Sequence, residues 1–181
     1  MVTTVAQLSQ SHNTRGAIEP TAFAFDTHLD AEDALFALSR TGVDMTKLSL
    51  IGKGANDEDR PLGFYTKGRS IRACGGIGAF WGAIWGLLYA PAVLFLRELG
   101  LVAMAGPIVM QLAEVLDGSV LVPDCSPLGG ALTLIGVERP QIAAYEAAIK
   151  AGRYLLIVAG NSSDMQRVRA SLLAQRIACL V

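Results

Sequence analysis

Apolar and polar residues alternate with two different periods along this chain, and between them lies a stretch with almost no polar residues. Residues 21–25 (TAFAF) put Phe23 and Phe25 on one side of an extended run and predict a short strand. Thr27 follows as an N-cap with Asp30 three residues on, and Ala31, Ala34, Leu35 and Leu38 then recur at helical spacing until Gly42. Residues 48–52 (LSLIG) predict a second strand. Residues 62–66 (LGFYT) predict a third, hairpinned to the second across the polar loop GANDEDRP. Further on, Pro140 opens a helix where its missing N–H costs nothing. Ile142, Tyr145, Ala148 and Ile149 form that helix's buried stripe, and Gly152 closes it. Residues 154–159 (YLLIVA) are apolar without interruption, which suits a central strand covered by helices. A last helix starts near Ser162 or Ser163 and carries Met165, Val168, Leu172 and Leu173.

The intervening stretch is of another kind. Residues 75–96 (GGIGAFWGAIWGLLYAPAVLFL) are 22 residues without a charge. At a helical rise they span ~33 Å, about the thickness of a bilayer's hydrocarbon core. Gly78, Gly82 and Gly86 then share one helix face, with Gly75, Ala79 and Ala83 in a second small stripe beside it. Such a face lets two helix backbones approach closely. The reading is a helical hairpin: a first arm over 71–96, a tip at Arg97, Glu98, Leu99 and Gly100, and a second arm apolar from Leu101 to Met110. Pro91 and Pro107 are expected to kink the arms. The connection DGSVLVPDCSP leads to a short apolar helix over 128–135, capped by Gly136.

With that stretch set aside, the order is strand, helix, strand, strand, helix, strand and an extra helix. This is the split βαβ order of an α+β, ferredoxin-like sandwich. The expected organisation is an N-terminal arm over residues 1–20, a discontinuous ferredoxin-like domain over 21–69 and 138–181, and a hydrophobic, Gly-rich helical hairpin inserted over 70–137.

Composition sharpens the contrast between the parts. Of 181 residues, 52% are hydrophobic and 17% charged, below the usual ~25%. Residues 75–137 hold only Arg97, Glu98, Glu114, Asp117 and Asp124 as charges. A net charge of −1 gives no footprint for nucleic acid. Cys74, Cys125 and Cys179 have no metal-like spacing and read as reduced cysteines of a cytoplasm. The first twenty residues lack a basic segment followed by an apolar core and do not read as a secretory signal.

The chemistry-bearing candidates are few. Lys67, Arg69 and Arg72 precede the first arm and read either as a solvated loop or as a basic collar against anionic lipid headgroups at a cytoplasmic membrane face. Trp81, Trp85 and Tyr89 recur at four-residue spacing as a packing surface. Glu114, with Gln111, is either wet where the second arm leaves the apolar phase or a buried polar pair inside an oligomer. Asn56, Asp57, Glu58 and Asp59 lack the spacing of a calcium loop and read as a solvated turn. His12 and His28 stand alone, and no nucleophile–base pair can be named. The sequence thus offers no catalytic residue, no metal site and no cofactor.

The residues Gly52 and Lys53 after the second strand, the block GAFWGAIWGLLYAP at 78–91, the turn Ala105-Gly106-Pro107 and the tail GVERPQIAAYEAAIKAGRYLLIV at 136–158 carry a resemblance. They resemble an uncharacterised bacterial family related to general-stress and low-temperature-induced, membrane-associated proteins with a glycine-zipper hairpin. Val137 stands where the family tends to have Ile, and the family's proline lies later here, at Pro140. The resemblance implies a stress-linked protein at the bacterial inner membrane, its globular domain cytoplasmic. The function expected is a non-enzymatic structural protein whose partners are itself, through the glycine face, and membrane lipid, but not nucleic acid. Two further classes stay open: a water-soluble shell or ring with buried hairpins, and a small-ligand sensor or pore component.

Overall fold

The computed structural model describes residues 19–54, 75–174 and 179–180. Twelve elements of regular structure and one short 3₁₀ turn follow in order: β1 (Glu19–Phe25), α1 (His28–Arg40), the turn Met45–Lys47, β2 (Leu48–Lys53), α2 (Gly75–Leu87), β3 (Ala92–Leu96), β4 (Gly100–Ala105), α3 (Pro107–Leu116), α4 (Pro127–Ile135), α5 (Arg139–Lys150), β5 (Tyr154–Gly160), α6 (Ser162–Ala174) and β6 (Cys179–Leu180). The class is mixed α+β. One antiparallel sheet runs in the order β3-β4-β2-β5-β1-β6, with β6 adding only two residues.

Many local expectations are met. Thr27 caps α1, its hydroxyl accepting the Asp30 N–H, and Ala31, Ala34, Leu35 and Leu38 are the buried residues of that helix. Pro140 lies in the first turn of α5, whose buried residues are Ile142, Tyr145, Ala148 and Ile149. Gly136 ends α4 in the left-handed region. On α6, Met165, Val168 and Leu172 are buried but Leu173 is exposed.

Two corrections concern topology. Strand β5 lies between β1 and β2 and is antiparallel to both. Strand β2 lies likewise between β4 and β5. Two βαβ crossovers are therefore each split by a strand of the other, but the order is not ferredoxin-like. The helices also occupy both faces. Phe23, Phe25, Leu48, Leu50, Tyr154, Leu156 and Val158 point to one core with α1, α2 and α6. Ala22, Ala24, Ile51, Leu155 and Ile157 point to another with α3, α4 and α5. A sheet covered twice explains why β2 and β5 are apolar at successive positions and not only at alternate ones.

Nor do residues 70–137 form an inserted helical hairpin. Helix α2 stops at Leu87, and 92–105 fold into the β3–β4 hairpin, with β4 bonded to β2. At 13 residues α2 is ~20 Å long. Among the described residues no helix is long and apolar enough to cross a membrane. The break has a local cause. Pro91 donates no hydrogen bond and disfavours a helical residue before it, and Ala90, with φ of 50°, lies outside the right-handed helical region. Pro107 does not kink an arm but starts α3. The strand expected over 62–66 and most of the N-terminal arm lie outside the described residues; the arm's last two positions, Glu19 and Pro20, belong to β1.

Gly106 sets the turn from β4 into α3. Its φ is 97°, and a Cβ there would overlap the carbonyl of Leu48. The close approach lets the buried Ser49 hydroxyl accept the Ile108 N–H at 3.2 Å, filling the place of a side-chain cap at this helix start.

Candidate functional site

Helix α2 presents its large residues inward. Trp81 is 2% and Trp85 4% exposed, and Phe80, Ile84 and Leu88 are buried with them. Phe80 meets the Tyr154 ring edge-on at 5.2 Å between centroids and the His28 ring at 5.6 Å. The Trp81 indole N–H donates to the Lys53 carbonyl at 3.2 Å. Gly52 leaves room for this cluster, since a Cβ there would overlap the Tyr154 ring. Burial pushes the Tyr154 phenol above its ordinary value.

Of the stripes of small residues, Gly82 and Ala83 are half-buried and Gly86 is exposed, with nothing within 4 Å of where its Cβ would stand. Gly75, Gly78 and Ala79 lie in the first turns of α2. The helix docks on the sheet through its aromatic side, and the Gly82–Gly86 side is turned from the core. Tyr89 departs from the expected packing surface: it follows the end of α2 and is exposed. Within the chain Glu114 is exposed on α3 and Gln111 half-buried. Lys67, Arg69 and Arg72, and the acidic stretch 56–59, lie outside the described residues.

Hairpin residues that looked like a membrane arm instead build the edge of the sheet. The Leu99 N–H donates to the Leu96 carbonyl at 3.1 Å, and Gly100 follows with φ of 78°. This is a three-residue hairpin loop whose left-handed position requires glycine. Pairing from Leu96↔Gly100 to Ala92↔Met104 is one-to-one, without a bulge. Because the Leu96 carbonyl serves β4's side, Leu94 and Ala92 face β4 too, and the N–H and C=O of Val93 and Phe95 point away from the sheet. Among the described residues no strand pairs with that side. Phe95 is 71% exposed, behind only Leu121 and Leu173 among the large hydrophobic residues described.

Among the described residues, sites for chemistry are sparse. Ser126 caps α4 by accepting the Gly129 N–H and donates its own hydrogen to Glu146, beside a small cleft lined by Leu96, Arg97, Leu99 and Leu128. The hydroxyl is thus engaged twice in holding α4 on α5. Asp164 is buried against Lys47, which donates to it at 2.8 Å and holds its carboxyl below the usual carboxylate range. Among the described residues no group of three or more His, Cys, Asp or Glu is placed to hold a metal ion. Compared with family models, curated proteins and solved structures, the chain matches none.

Proposed function

We propose that this protein is a non-enzymatic interaction module that acts by associating with itself, and that the edge of β3, unpaired among the described residues, is its contact surface. The observation that carries the proposal is the character of that edge. Sheet edges in folded proteins are blunted by lysine, proline, bulges or a covering element, because an open rim templates pairing with another chain. Within β3 itself none of the first three occurs, Pro91 standing just before it: its sequence is AVLFL, its register is unbroken, and Phe95 stands out from it. The whole run 87–96 is uncharged. An edge left in this state is suited to a partner strand.

A second surface is favoured by one observation of its own. The open space at Gly86 leaves that position of α2, among the described residues, with room for another helix backbone, as the small-residue stripe requires. Light scattering after sizing, over a hundredfold range of concentration, separates the two. A mass that rises above the 19.1 kDa of one chain is expected. Phe95→Lys should return it to the monomer while Gly86→Leu leaves it unchanged. The reverse result would transfer the contact to α2. A monomer at every concentration would defeat self-association altogether.

A further inference from the structure

Resting on that reading, we infer that two copies join through β3 in one definite antiparallel register, with Leu94 on a two-fold axis perpendicular to the sheet. Within β3 only Val93 and Phe95 have backbone groups directed outward, as the hairpin turn at Leu96–Leu99 dictates. An antiparallel pair uses all of them only if Val93 of one copy faces Phe95 of the other, and Phe95 of the first faces Val93 of the second. Four hydrogen bonds then close symmetrically. Setting Phe95 opposite Phe95 instead would form only two bonds between these residues.

Side chains agree with this choice. Val93 and Phe95 lie on the face of the sheet covered by α2, so the register sets an aromatic residue against a β-branched one across the pair, a favourable cross-strand combination. The residues Leu94 meet each other on the opposite face, in a non-hydrogen-bonded pair where side chains are closest. Arg97 falls beside Pro91 of the second copy and Glu98 beside its Ala90, so no like charges meet at the seam. The partner is a second copy because the edge is complementary to itself: identical strands supply both halves of every bond and contact, and the two-fold closes the assembly.

The area sets the strength. A phenylalanine ring offers about 150–250 Å², and at 71% exposure Phe95 has roughly 100–180 Å² to bury per copy. With one five-residue strand from each side, the contact falls in the class below ~1,200 Å², that of transient complexes. Association is therefore a reversible, concentration-dependent equilibrium.

Cross-linking tests the register. In a chain carrying Cys74→Ser, Cys125→Ser and Cys179→Ser, the Leu94→Cys variant should be converted mostly to a disulfide-linked dimer by mild oxidant. The Phe95→Cys variant should not, because its two copies stand diagonally, about 8 Å apart, beyond disulfide reach. Efficient linkage through Phe95→Cys instead would assign the other register and overturn this one. A wild-type chain that self-associates while Leu94→Cys fails to link would overturn the β3 pairing but leave self-association standing. A wild-type chain that stays monomeric would remove both. The unmodified protein gives an independent reading by amide hydrogen exchange. The N–H groups of Val93 and Phe95 should gain protection as concentration rises, whereas that of Leu94, already bonded to β4, should not change. Equal behaviour of all three would reject the pairing.

Discussion

Trp81 and Trp85 stand four residues apart on one buried side of α2, yet their polar atoms fare differently. Trp81 donates its N–H to the Lys53 carbonyl, whereas the buried Trp85 Nε1 has no hydrogen-bond partner among the described residues. A buried donor without an acceptor costs about 1–3 kcal/mol of desolvation. Replacing either tryptophan by phenylalanine removes packing volume, but only at Trp81 does it also orphan a carbonyl. Trp81→Phe should therefore destabilise the fold by at least ~1 kcal/mol more than Trp85→Phe, as measured by urea unfolding. Equal losses, or a larger one at Trp85, would show that packing alone governs both sites. The sequence announced both rings as a packing surface, but not which would find a partner. Lys53 lies 28 positions from Trp81, and only the tertiary fold brings its carbonyl there.

Among the elements, α6 is fastened at its first turn. Asn161 accepts the Asp164 N–H while Asp164 accepts that of Asn161, a reciprocal cap, and Lys47 joins the same carboxylate from the turn before β2. The Lys47 hydrogen bond is the chief reason the Asp164 carboxyl lies below its ordinary value, with the Asn161 N–H adding to it. A carboxylate depressed in the folded state contributes stability that is present above the unfolded value near 4. It loses that contribution as pH falls through the folded value. Asp164→Asn should thus flatten the acid limb of melting temperature against pH below about 4, and lower the plateau. Acid limbs of identical slope would show that Asp164 carries none of it. Legibility differed sharply by element. Helices α1 and α5 could be read because cap, stripe and closing glycine agreed. Residues 92–96 and 101–105 could not. Five apolar residues in a row have no period, and length was the only arbiter between strand and helix. Joined to α2 across Pro91, they looked like one long helix, although proline at that point is a reason to end one. The β3 edge, which carries the proposed contact, was therefore hidden inside the segment that looked most like a membrane arm.

At the scale of the molecule, residues 75–135, which read as an insert in the sequence, belong to the sheet and to both cores. They supply β4, which pairs with β2, the α2 aromatics of one core, and α3 and α4 of the other. A chain in which 70–137 is replaced by a short Gly/Ser linker should show no cooperative thermal transition by circular dichroism. A sharp transition would mean that β1, α1, β2, α5 and β5 suffice. The interlocked crossovers also bear on how the protein comes into being. A ribosome makes β1 and β2 early, but they never touch each other, because the strand that joins them, β5, is completed only at Gly160. Until then the nascent chain can form the β2-β4-β3 half with α1 packed on α2, while β1 waits for its partner strands β5 and β6. Pairings of such long sequence separation fold slowly and leave sticky surface exposed meanwhile. The strand that joins the first two in the sheet is thus only the fifth of the six described strands to leave the ribosome.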